Sequence, residues 1–324
     1  MLLKKLISEV EIINTVGDLN LDITNIHSDS RKIKEGGLFI AINGFSKDGI
    51  HFIPDAIKNG AKAIIVEPNV DLNSLDIPTN IPAISVKNTR KALAQTACTF
   101  YDNPSKKLKL IGITGTKGKT TTTFMVKSIL EAHGLNVGLI GSIAVYINNE
   151  KIEDTDRTTP ESIEIQKHLA NMVEKNVDVA IIEVSSQAMK LDRVTGCEFD
   201  IGLFTNLSED HISPKEHPTM EDYFNCKLEL IKIAKHGIIN NDDEKLKTIK
   251  NLLPNKDIKT FAIDNSADFK VNPNKVEITD SYIDFSIFFN GKEEQIEACI
   301  PGRFSIYNAA GAIAVSSYFD VTAD

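Results

Sequence analysis

Two residue types are missing or scarce in this chain of 324 residues, which has no tryptophan and only four cysteines. The cysteines are scattered, and none of them forms a C-x-x-C pair: Cys98, Cys197, Cys226 and Cys299. This spacing argues against a zinc site and against a disulfide framework. We therefore expect reduced thiols in a cytoplasmic protein.

Long apolar runs and an excess of basic residues are missing too. No window approaches the roughly 20 apolar residues of a membrane span. The N-terminal stretch MLLKKLISEV has neither the apolar core nor the cleavage site of a signal peptide. The net charge of −9 argues against a general nucleic-acid binder. The sequence therefore predicts a soluble, cytoplasmic protein that binds neither membranes nor nucleic acids.

What is present is an ordinary globular composition, with 42% hydrophobic and 25% charged residues. The chain is long enough for two domains, and the turn cluster 102–105 marks a boundary because it directly precedes a new strand. We predict a small domain at residues 1–104 and a larger one at 105–324. Strands alternate with helices, which predicts an α/β fold whose second domain has a mostly parallel, doubly wound sheet. Alternating residues in 267–300 predict an antiparallel hairpin at an edge of this sheet.

The individual elements follow from the apolar pattern and from its stop signals. The predicted strands are residues 37–42, 61–66, 83–86, 108–113, 137–140, 179–184, 201–205 and 237–240. The predicted helices are residues 53–59, 89–101, 120–133, 161–174, 220–234 and 306–317. In a parallel sheet, ligands bind beyond the carboxyl ends of the strands, so the residues that follow each strand are the first candidates for a site.

The most informative stretch is LKLIGITGTKGKTTTT, residues 108–123. An apolar strand breaks into a glycine-rich turn, and Lys119-Thr120 then opens an amphipathic helix. In this arrangement backbone N–H groups and a helix N-terminus face a phosphate chain. Lys119 would reach the β- and γ-phosphates, and the Thr120 hydroxyl would ligate Mg²⁺. Ile113 stands where the strict phosphate-loop pattern has its first glycine. The alternative is therefore a glycine-rich turn that binds nothing. Because Gly-Lys-Thr directly follows an apolar strand, the sequence favours an ATP site.

Three further strand ends carry polar residues: Glu183 to Ser186, Thr205-Asn206, and the loop that reaches Asp210-His211. Glu183 directly follows an apolar run, where a carboxylate is well placed to hold the Mg²⁺ that bridges ATP phosphates. A solvated or ion-paired glutamate is the alternative, and the phosphate loop in the same sheet favours the metal.

Spacing alone leaves the other candidates as ordinary surface or structural residues. By spacing, His211 is a solvent-facing histidine and Lys227 a surface lysine. The remaining six histidines are interpreted as structural. Thr159 is expected to cap the helix that follows Pro160.

Several motifs in fixed order, taken together, resemble the Mur ligase family, and within it the members that add the third amino acid of the peptidoglycan peptide. The motifs are Asp29-Ser30-Arg31 with GLFIA at 37–41, TGTKGKTTTT at 114–123, TTPE at 158–161, EVSS at 183–186, TNLSEDH at 205–211, HPTMEDY at 217–223 followed by Lys227, and PGRF at 301–304 with Asn308. The resemblance runs essentially from end to end of the chain.

The resemblance implies a fold of three domains, of which this chain would hold two. Residues 1–104 would bind the UDP-MurNAc part of the substrate, and residues 105–324 would form the ATP-binding domain. The C-terminal Rossmann-like domain would be absent, so we expect this fragment alone to be inactive. The expected oligomeric state is a monomer.

The resemblance also implies the reaction, an ATP-dependent amide ligation. The γ-carboxylate of D-Glu in UDP-MurNAc-L-Ala-D-Glu would become an acyl phosphate, which the amine of a diamino acid then attacks. The motif Thr158-Thr159-Pro160-Glu161 favours meso-diaminopimelate over L-lysine as the amino acid.

The resemblance implies site residues at the positions that match the motifs of the family. The expected catalytic residues are Lys119, Glu183, His211 and Lys227. The expected ATP contacts are Gly115, Thr116, Lys117, Gly118, Lys119, Thr120, Thr121 and, on the adenine side, Asn308. Two Mg²⁺ ions are expected on Thr120, Glu183, His211 and Lys227, with the lysine converted by CO₂ to a carbamate. The expected contacts to the UDP-MurNAc-peptide are Ser30, Thr158, Thr159, Ser185 and Arg193.

Competing interpretations remain. Another Mur ligase or a folylpolyglutamate-synthase-like ligase would share the ATP-binding domain. Residues 29–31 and 37–41 favour a Mur-type N-terminal domain, and Thr158-Thr159-Pro160 favours the third-amino-acid enzymes. A nucleotide-binding module without chemistry is the alternative from another class, but a switch needs no second metal site.

Overall fold

The computed structural model describes residues 1–44, 47–210, 212–214, 216–289 and 291–321. The chain forms two compact units. The first unit comprises Met1–Pro104, Glu161–Ala170 and Leu191–Cys197, and the second comprises Ser105–Pro160, Asn171–Lys190 and Glu198–Asp324. Two short segments of the first unit thus lie within the sequence range that we predicted for the second domain.

Each unit is built around its own β-sheet. The strands are β1 Ile12–Val16, β2 Asn25–His27, β3 Gly37–Ile40, β4 Ala61–Val66, β5 Ala83–Val86, β6 Lys109–Thr114, β7 Val137–Ile140, β8 Ala144–Ile147, β9 Glu150–Asp154, β10 Val179–Glu183, β11 Ile201–Phe204, β12 His236–Asn240, β13 Ile258–Ala262, β14 Phe269–Ile278, β15 Ile283–Phe289 and β16 Lys292–Ala298. The helices are α1 Leu3–Leu6, α2 Ile53–Lys58, α3 Thr89–Phe100, α4 Lys119–Ala132, α5 Ser162–Glu174, α6 Ser186–Lys190, α7 Met220–Ile233, α8 Ile249–Leu252 and α9 Arg303–Ser316.

The first unit has a five-stranded sheet in the order β1-β5-β4-β3-β2. Strands β2 to β5 are parallel, and β1 pairs antiparallel with β5 at one edge. Every residue of β3 and β5 is buried, which explains why these short apolar runs are readable in the sequence. Helix α3 begins where the Asn88 side chain accepts a hydrogen bond from the Lys91 N–H.

The second unit has an eleven-stranded sheet in the order β16-β15-β14-β13-β12-β11-β6-β10-β7-β8-β9. The parallel part of this sheet consists of seven adjacent strands: β14, β13, β12, β11, β6, β10 and β7. The predicted fold class is therefore confirmed. The antiparallel hairpin expected near residues 267–300 is present as β14, β15 and β16. The opposite edge is also antiparallel through β8 and β9, which the sequence analysis did not predict.

Helices α4 and α9 pack together beside the centre of this sheet. Val126 of α4 and Ala310 of α9 belong to the same buried apolar cluster as Ile113 of β6. Helix α9 begins at Arg303, three residues before the predicted start, because Gly302 with φ 92° turns the chain into it. Within the described residues, no helix is long and apolar enough to cross a membrane.

Candidate functional site

The loop between β6 and α4 is shaped by two glycines. Gly115 has φ 148° and Gly118 has φ 84°, so both lie in backbone regions that disfavour other residues. A Cβ atom at Gly118 would also collide with the side-chain amide of Asn308 on α9. Asn308, which the sequence analysis expected on the adenine side of ATP, thus lies beside the loop.

The carboxyl end of β11 clamps this loop from the side. The Thr116 N–H donates to the Asn206 carbonyl at 2.9 Å, and the Lys117 N–H donates to the Asn206 side chain at 2.9 Å. In return, the Asn206 amide and the Thr205 hydroxyl donate to the Lys117 carbonyl at 2.8 and 2.9 Å. The loop conformation is therefore fixed by hydrogen bonds on both sides of the Lys117 peptide.

Two lysines converge on one backbone carbonyl of the loop. Lys119 Nζ donates to the Gly115 carbonyl at 2.9 Å and to the Thr116 carbonyl at 3.3 Å. Lys227 Nζ, from α7, donates to the same Gly115 carbonyl at 2.7 Å. Lys227 is 1% exposed, so the structure contradicts the surface location that spacing alone suggested.

Burial sets the protonation of these lysines. Burial, followed by the neighbouring Lys119 charge, lowers the pKa of Lys227 to about 6, and Asp210 partly opposes the shift. Burial also lowers the pKa of Lys119, although the Glu183 carboxylate partly offsets this effect. At neutral pH, Lys227 therefore carries a neutral amine with a free electron pair for much of the time.

Glu183 is fully buried at the end of β10 and is held by three donors. The Thr120 hydroxyl donates to Oε2 at 2.9 Å. The Ser142 hydroxyl and N–H donate to Oε2 at 3.0 Å and to Oε1 at 3.1 Å. Two of the predicted metal ligands, Thr120 and Glu183, are thus brought together. The predicted ligand His211 lies outside the described residues.

The predicted substrate residues near Glu183 form a second layer. The Thr159 hydroxyl donates to the Glu183 carbonyl at 2.7 Å and accepts from the Ser185 N–H at 3.0 Å. The Ser142 and Thr158 hydroxyl oxygens are 3.1 Å apart. Thr159 and Ser185 therefore lie beside the Glu183 backbone, and Thr158 lies beside Ser142, which donates to the carboxylate. Thr121 lies in the first turn of α4.

Ser30 and Arg193 belong to the first unit. Ser30 is buried in the turn after β2, and its carbonyl accepts from the Asn59 side chain at 2.9 Å. Arg193 is nearly buried and forms an ion pair with Glu161 at 3.0 Å.

Sequence reasoning missed two groups. One is Ser142, although Gly141-Ser142 follows an apolar strand just as the identified candidates do. The other is the buried His217, whose Nε2 lies 2.9 Å from the Ser186 hydroxyl and whose Nδ1 lies 2.7 Å from the Asp222 carboxylate. No sequence signal joins these residues, because Ser186 and His217 are 31 positions apart.

Cys226 lies near His217 and Asp222, so the three side chains could in principle hold a metal ion. Lys190 Nζ already pairs with Asp222 at 2.9 Å, and this contact is the main reason that the pKa of Asp222 is lowered. The ammonium and the short histidine–carboxylate hydrogen bond take the positions that a cation would need. The cluster is thus a hydrogen-bond network rather than a metal centre.

Comparison with known protein families gives two matches. Residues 113–316 match the Mur ligase middle domain, and residues 22–101 match the catalytic domain of the Mur ligase family. Together these matches include the phosphate loop, Glu183, Lys227 and Asn308.

Individual proteins agree with the family matches. A Clostridium acetobutylicum protein named UDP-N-acetylmuramoyl-L-alanyl-D-glutamate–2,6-diaminopimelate ligase 1 is 43% identical over 317 residues, which are 97% of this chain and 63% of the relative. A Clostridium botulinum protein with the corresponding ligase name is 46% identical over 90% of this chain and 59% of its own length. The chain thus spans less than two thirds of these relatives.

Solved structures show the same fold. A structure of a UDP-N-acetylmuramoyl-L-alanyl-D-glutamate–2,6-diaminopimelate ligase superimposes with a TM-score of 0.85 at 22% identity, and covers 100% of this chain and 64% of its own.

Proposed function

Because this chain belongs to the Mur ligase family, we propose that the protein is an ATP-dependent amide ligase that joins meso-diaminopimelate to UDP-MurNAc-L-Ala-D-Glu. The names of the two clostridial relatives support these substrates. The observation that carries the proposal is the convergence of Lys119, Lys227 and the Thr120–Glu183 pair around one glycine-rich loop. We also propose that it acts in the cytoplasm as a monomer.

The nucleotide is proposed to bind where α4 begins. No side chain caps the N-terminus of this 14-residue helix, so its first N–H groups are available to a phosphate. Lys119 adds a positive charge beside the same N–H groups. Residues Gly115 to Thr121 would hold the phosphates, and Asn308 would contact the base from α9.

Magnesium is proposed to bind at Thr120 and Glu183. A hydroxyl and a carboxylate held 2.9 Å apart are oxygen donors of the kind that hard cations prefer. Bound there, Mg²⁺ would offset the charge of the transferred phosphoryl group. His211 is proposed as a ligand of a second ion.

Lys227 is proposed to react with CO₂. The neutral amine forms an N–C bond to CO₂ and loses one proton, which gives a carbamate with two oxygen donors. The surroundings support this reaction, because Lys227 is buried and its Nζ contacts a carbonyl and the Tyr223 ring. A positive ammonium would repel Mg²⁺, whereas a carbamate would bind it.

The reaction proposed has two steps. A carboxylate oxygen of D-Glu attacks the γ-phosphorus of ATP, and ADP leaves. The diaminopimelate amine then attacks the acyl carbon, loses a proton and expels phosphate. Lys119 stabilises the charge that develops on the phosphoryl oxygens. Ser30, Thr158, Thr159, Ser185 and Arg193 are proposed to hold the UDP-MurNAc-peptide.

Calorimetric titration of this chain tests the proposal. We expect UDP-MurNAc-L-Ala-D-Glu to bind, UDP-MurNAc-L-Ala to bind more weakly and a folate not to bind. Preference for the shorter nucleotide would assign the protein to the preceding step of the pathway. Binding of the folate in place of both nucleotides would contradict the substrate class, and indifference to all three would contradict the proposal as a whole.

A further inference from the structure

The buried histidine at position 217 connects two elements that carry proposed site residues. Its Nδ1 is 2.7 Å from an Asp222 carboxylate oxygen, which only accepts, so the ring proton lies on Nδ1. In the neutral ring, Nε2 is then an acceptor, and the Ser186 hydroxyl donates to it at 2.9 Å. His217 is 0% exposed, so water does not compete for either contact.

These three residues, which we call the relay, tie the end of β10 to the start of α7. Ser186 begins α6, three residues after Glu183. Asp222 lies in the first turn of α7, five residues before Lys227. Lys190 adds a second tie, because its Nζ donates to the Asp222 carboxylate at 2.9 Å and to the Glu216 carbonyl at 2.8 Å.

The ring of Tyr223 transmits the position of His217 to Lys227. Its centroid lies 5.1 Å from the His217 ring on one side and 4.6 Å from Lys227 Nζ on the other. Its hydroxyl donates to the Thr116 hydroxyl in the phosphate loop at 3.3 Å. A shift of His217 would therefore move the ring, and with it the lysine that donates to Gly115.

We infer that the relay Ser186–His217–Asp222, acting through the Tyr223 ring, is a positioning device that holds the Lys227 amine against the Gly115 carbonyl. The described hydrogen bonds of the relay residues do not include Lys119 or Lys227, so the relay would act through the ring. The inference rests on the proposed function for the role of Lys227, because a carbamate nitrogen keeps one hydrogen and still needs this acceptor. Loosening the relay should therefore affect the chemistry of Lys227 more than the binding of the UDP-sugar.

Two measurements on the same variants test this inference. The first is the rate at which acetic anhydride labels Lys227, followed by mass spectrometry. The second is carbamate formation, followed by ¹³C NMR during a titration with ¹³C-bicarbonate. For Ser186→Ala and His217→Asn we expect labelling about 3–10-fold faster and a half-saturating bicarbonate concentration about 3–10-fold higher, the equivalent of one hydrogen bond. Ser186→Ala removes only a hydroxyl, so it still tests the inference if His217→Asn fails to fold.

Matched controls lie elsewhere in the second unit. His236→Asn alters another histidine paired with an aspartate, Asp257, and Ser317→Ala removes a hydroxyl that donates to a backbone carbonyl instead of to a histidine. Neither control should change the labelling of Lys227. Tyr223→Leu should resemble the relay variants, whereas Tyr223→Phe keeps the ring and should change both readouts by less than about 3-fold.

The outcomes separate the inference from the proposed function. Wild-type labelling rates in Ser186→Ala and His217→Asn would overturn the positioning role. Faster labelling in these variants, together with a wild-type protein that takes up no CO₂, would uphold the positioning role and overturn the carbamate. Faster labelling together with an unchanged bicarbonate titration would overturn the link between the relay and the chemistry of Lys227.

Discussion

The candidate residues of the two units are fixed by different interactions. In the second unit, Glu183 and Lys227 are buried and are held by hydroxyl, amide and carbonyl groups. In the first unit, the candidates lie beside charged pairs, such as Asp29–Arg31 and Arg193–Glu161. The Arg31 side chain is 87% exposed, so solvent screens its pair with Asp29.

This difference indicates where substitutions should be costly. When a buried polar group loses its partner, the cost of its desolvation is no longer compensated, and the free energy of unfolding falls. Removing an exposed ion pair changes the free energy of unfolding by little. We expect changes around the phosphate loop to have large effects and changes near residues 29–31 to have small ones. Four substitutions test this comparison.

Lys119→Ala should have the largest effect. It removes the positive charge at the start of α4 together with two hydrogen bonds to loop carbonyls. We expect the affinity for Mg·ADP to fall at least about 100-fold, measured by calorimetry. Lys175→Ala, which removes an exposed ion pair with Glu150, is the control and should bind normally. Retention of nucleotide affinity in Lys119→Ala would remove this lysine from the proposed site.

Lys227→Met should stabilise the fold while removing the amine that the proposed reaction needs. The unfolded lysine keeps its proton up to a pKa near 10.5, whereas the folded one loses it at about 6, so stability rises with pH between these values. Removing the amine should abolish the proposed carbamate formation, raise the unfolding free energy at pH 7 by on the order of 2 kcal/mol and flatten its pH dependence.

Chemical denaturation at several pH values measures this effect. Lys232→Met in the same helix is the control, because Lys232 is exposed and paired with Glu229. A loss of stability in Lys227→Met but not in Lys232→Met would show that the hydrogen bond to Gly115 outweighs the cost of burial.

Ser142→Ala should have an intermediate effect. It removes one of the donors to the Glu183 carboxylate and keeps the backbone N–H donor. We expect a loss of about 1–2 kcal/mol in the unfolding free energy of the metal-free protein. Both serines are exposed, but the Ser142 hydroxyl donates to the buried Glu183 carboxylate, so Ser266→Ala is the control and should be neutral. Equal stabilities of the two variants would argue that Glu183 is not held by side-chain donors.

Asp29→Asn should have the smallest effect. Hydrogen bonding to Arg31 lowers the pKa of Asp29 to about 2. The ionised Asp29 carboxylate therefore stabilises the fold above pH 3.8, and this contribution is lost as the pH falls towards 2. The substitution should reduce the acid dependence of stability only in this range. Asp29 also accepts from the Arg31 N–H, and Asp71 accepts from the Asn73 N–H in the same way, so Asp71→Asn is the matched control for thermal melts between pH 2 and 5.

Much of the fold could be predicted because its strands are short apolar runs. The predicted strands 61–66 and 83–86 coincide with β4 and β5. Strand β9 was missed because most of its residues are exposed and it has no apolar run. The sequence signal for this hairpin was the turn residue Asn148, which has φ 54° in the structure.

The site could be predicted only where its residues are close in sequence. The phosphate loop is one continuous segment, so its geometry follows from glycines and a helix start. The contact between Ser142 and Glu183 joins residues that are 41 positions apart, and the burial of Lys227 depends on how α7 packs. Spacing carries no information about either contact, because both arise from the order of strands in the sheet.

The three donors on Glu183 also bear on how a cation would enter and leave. The carboxylate already accepts three hydrogen bonds, so an incoming ion must exchange with bonds that already exist. Such an exchange gains little net free energy. Ion binding at Glu183 should therefore be weak and readily reversed.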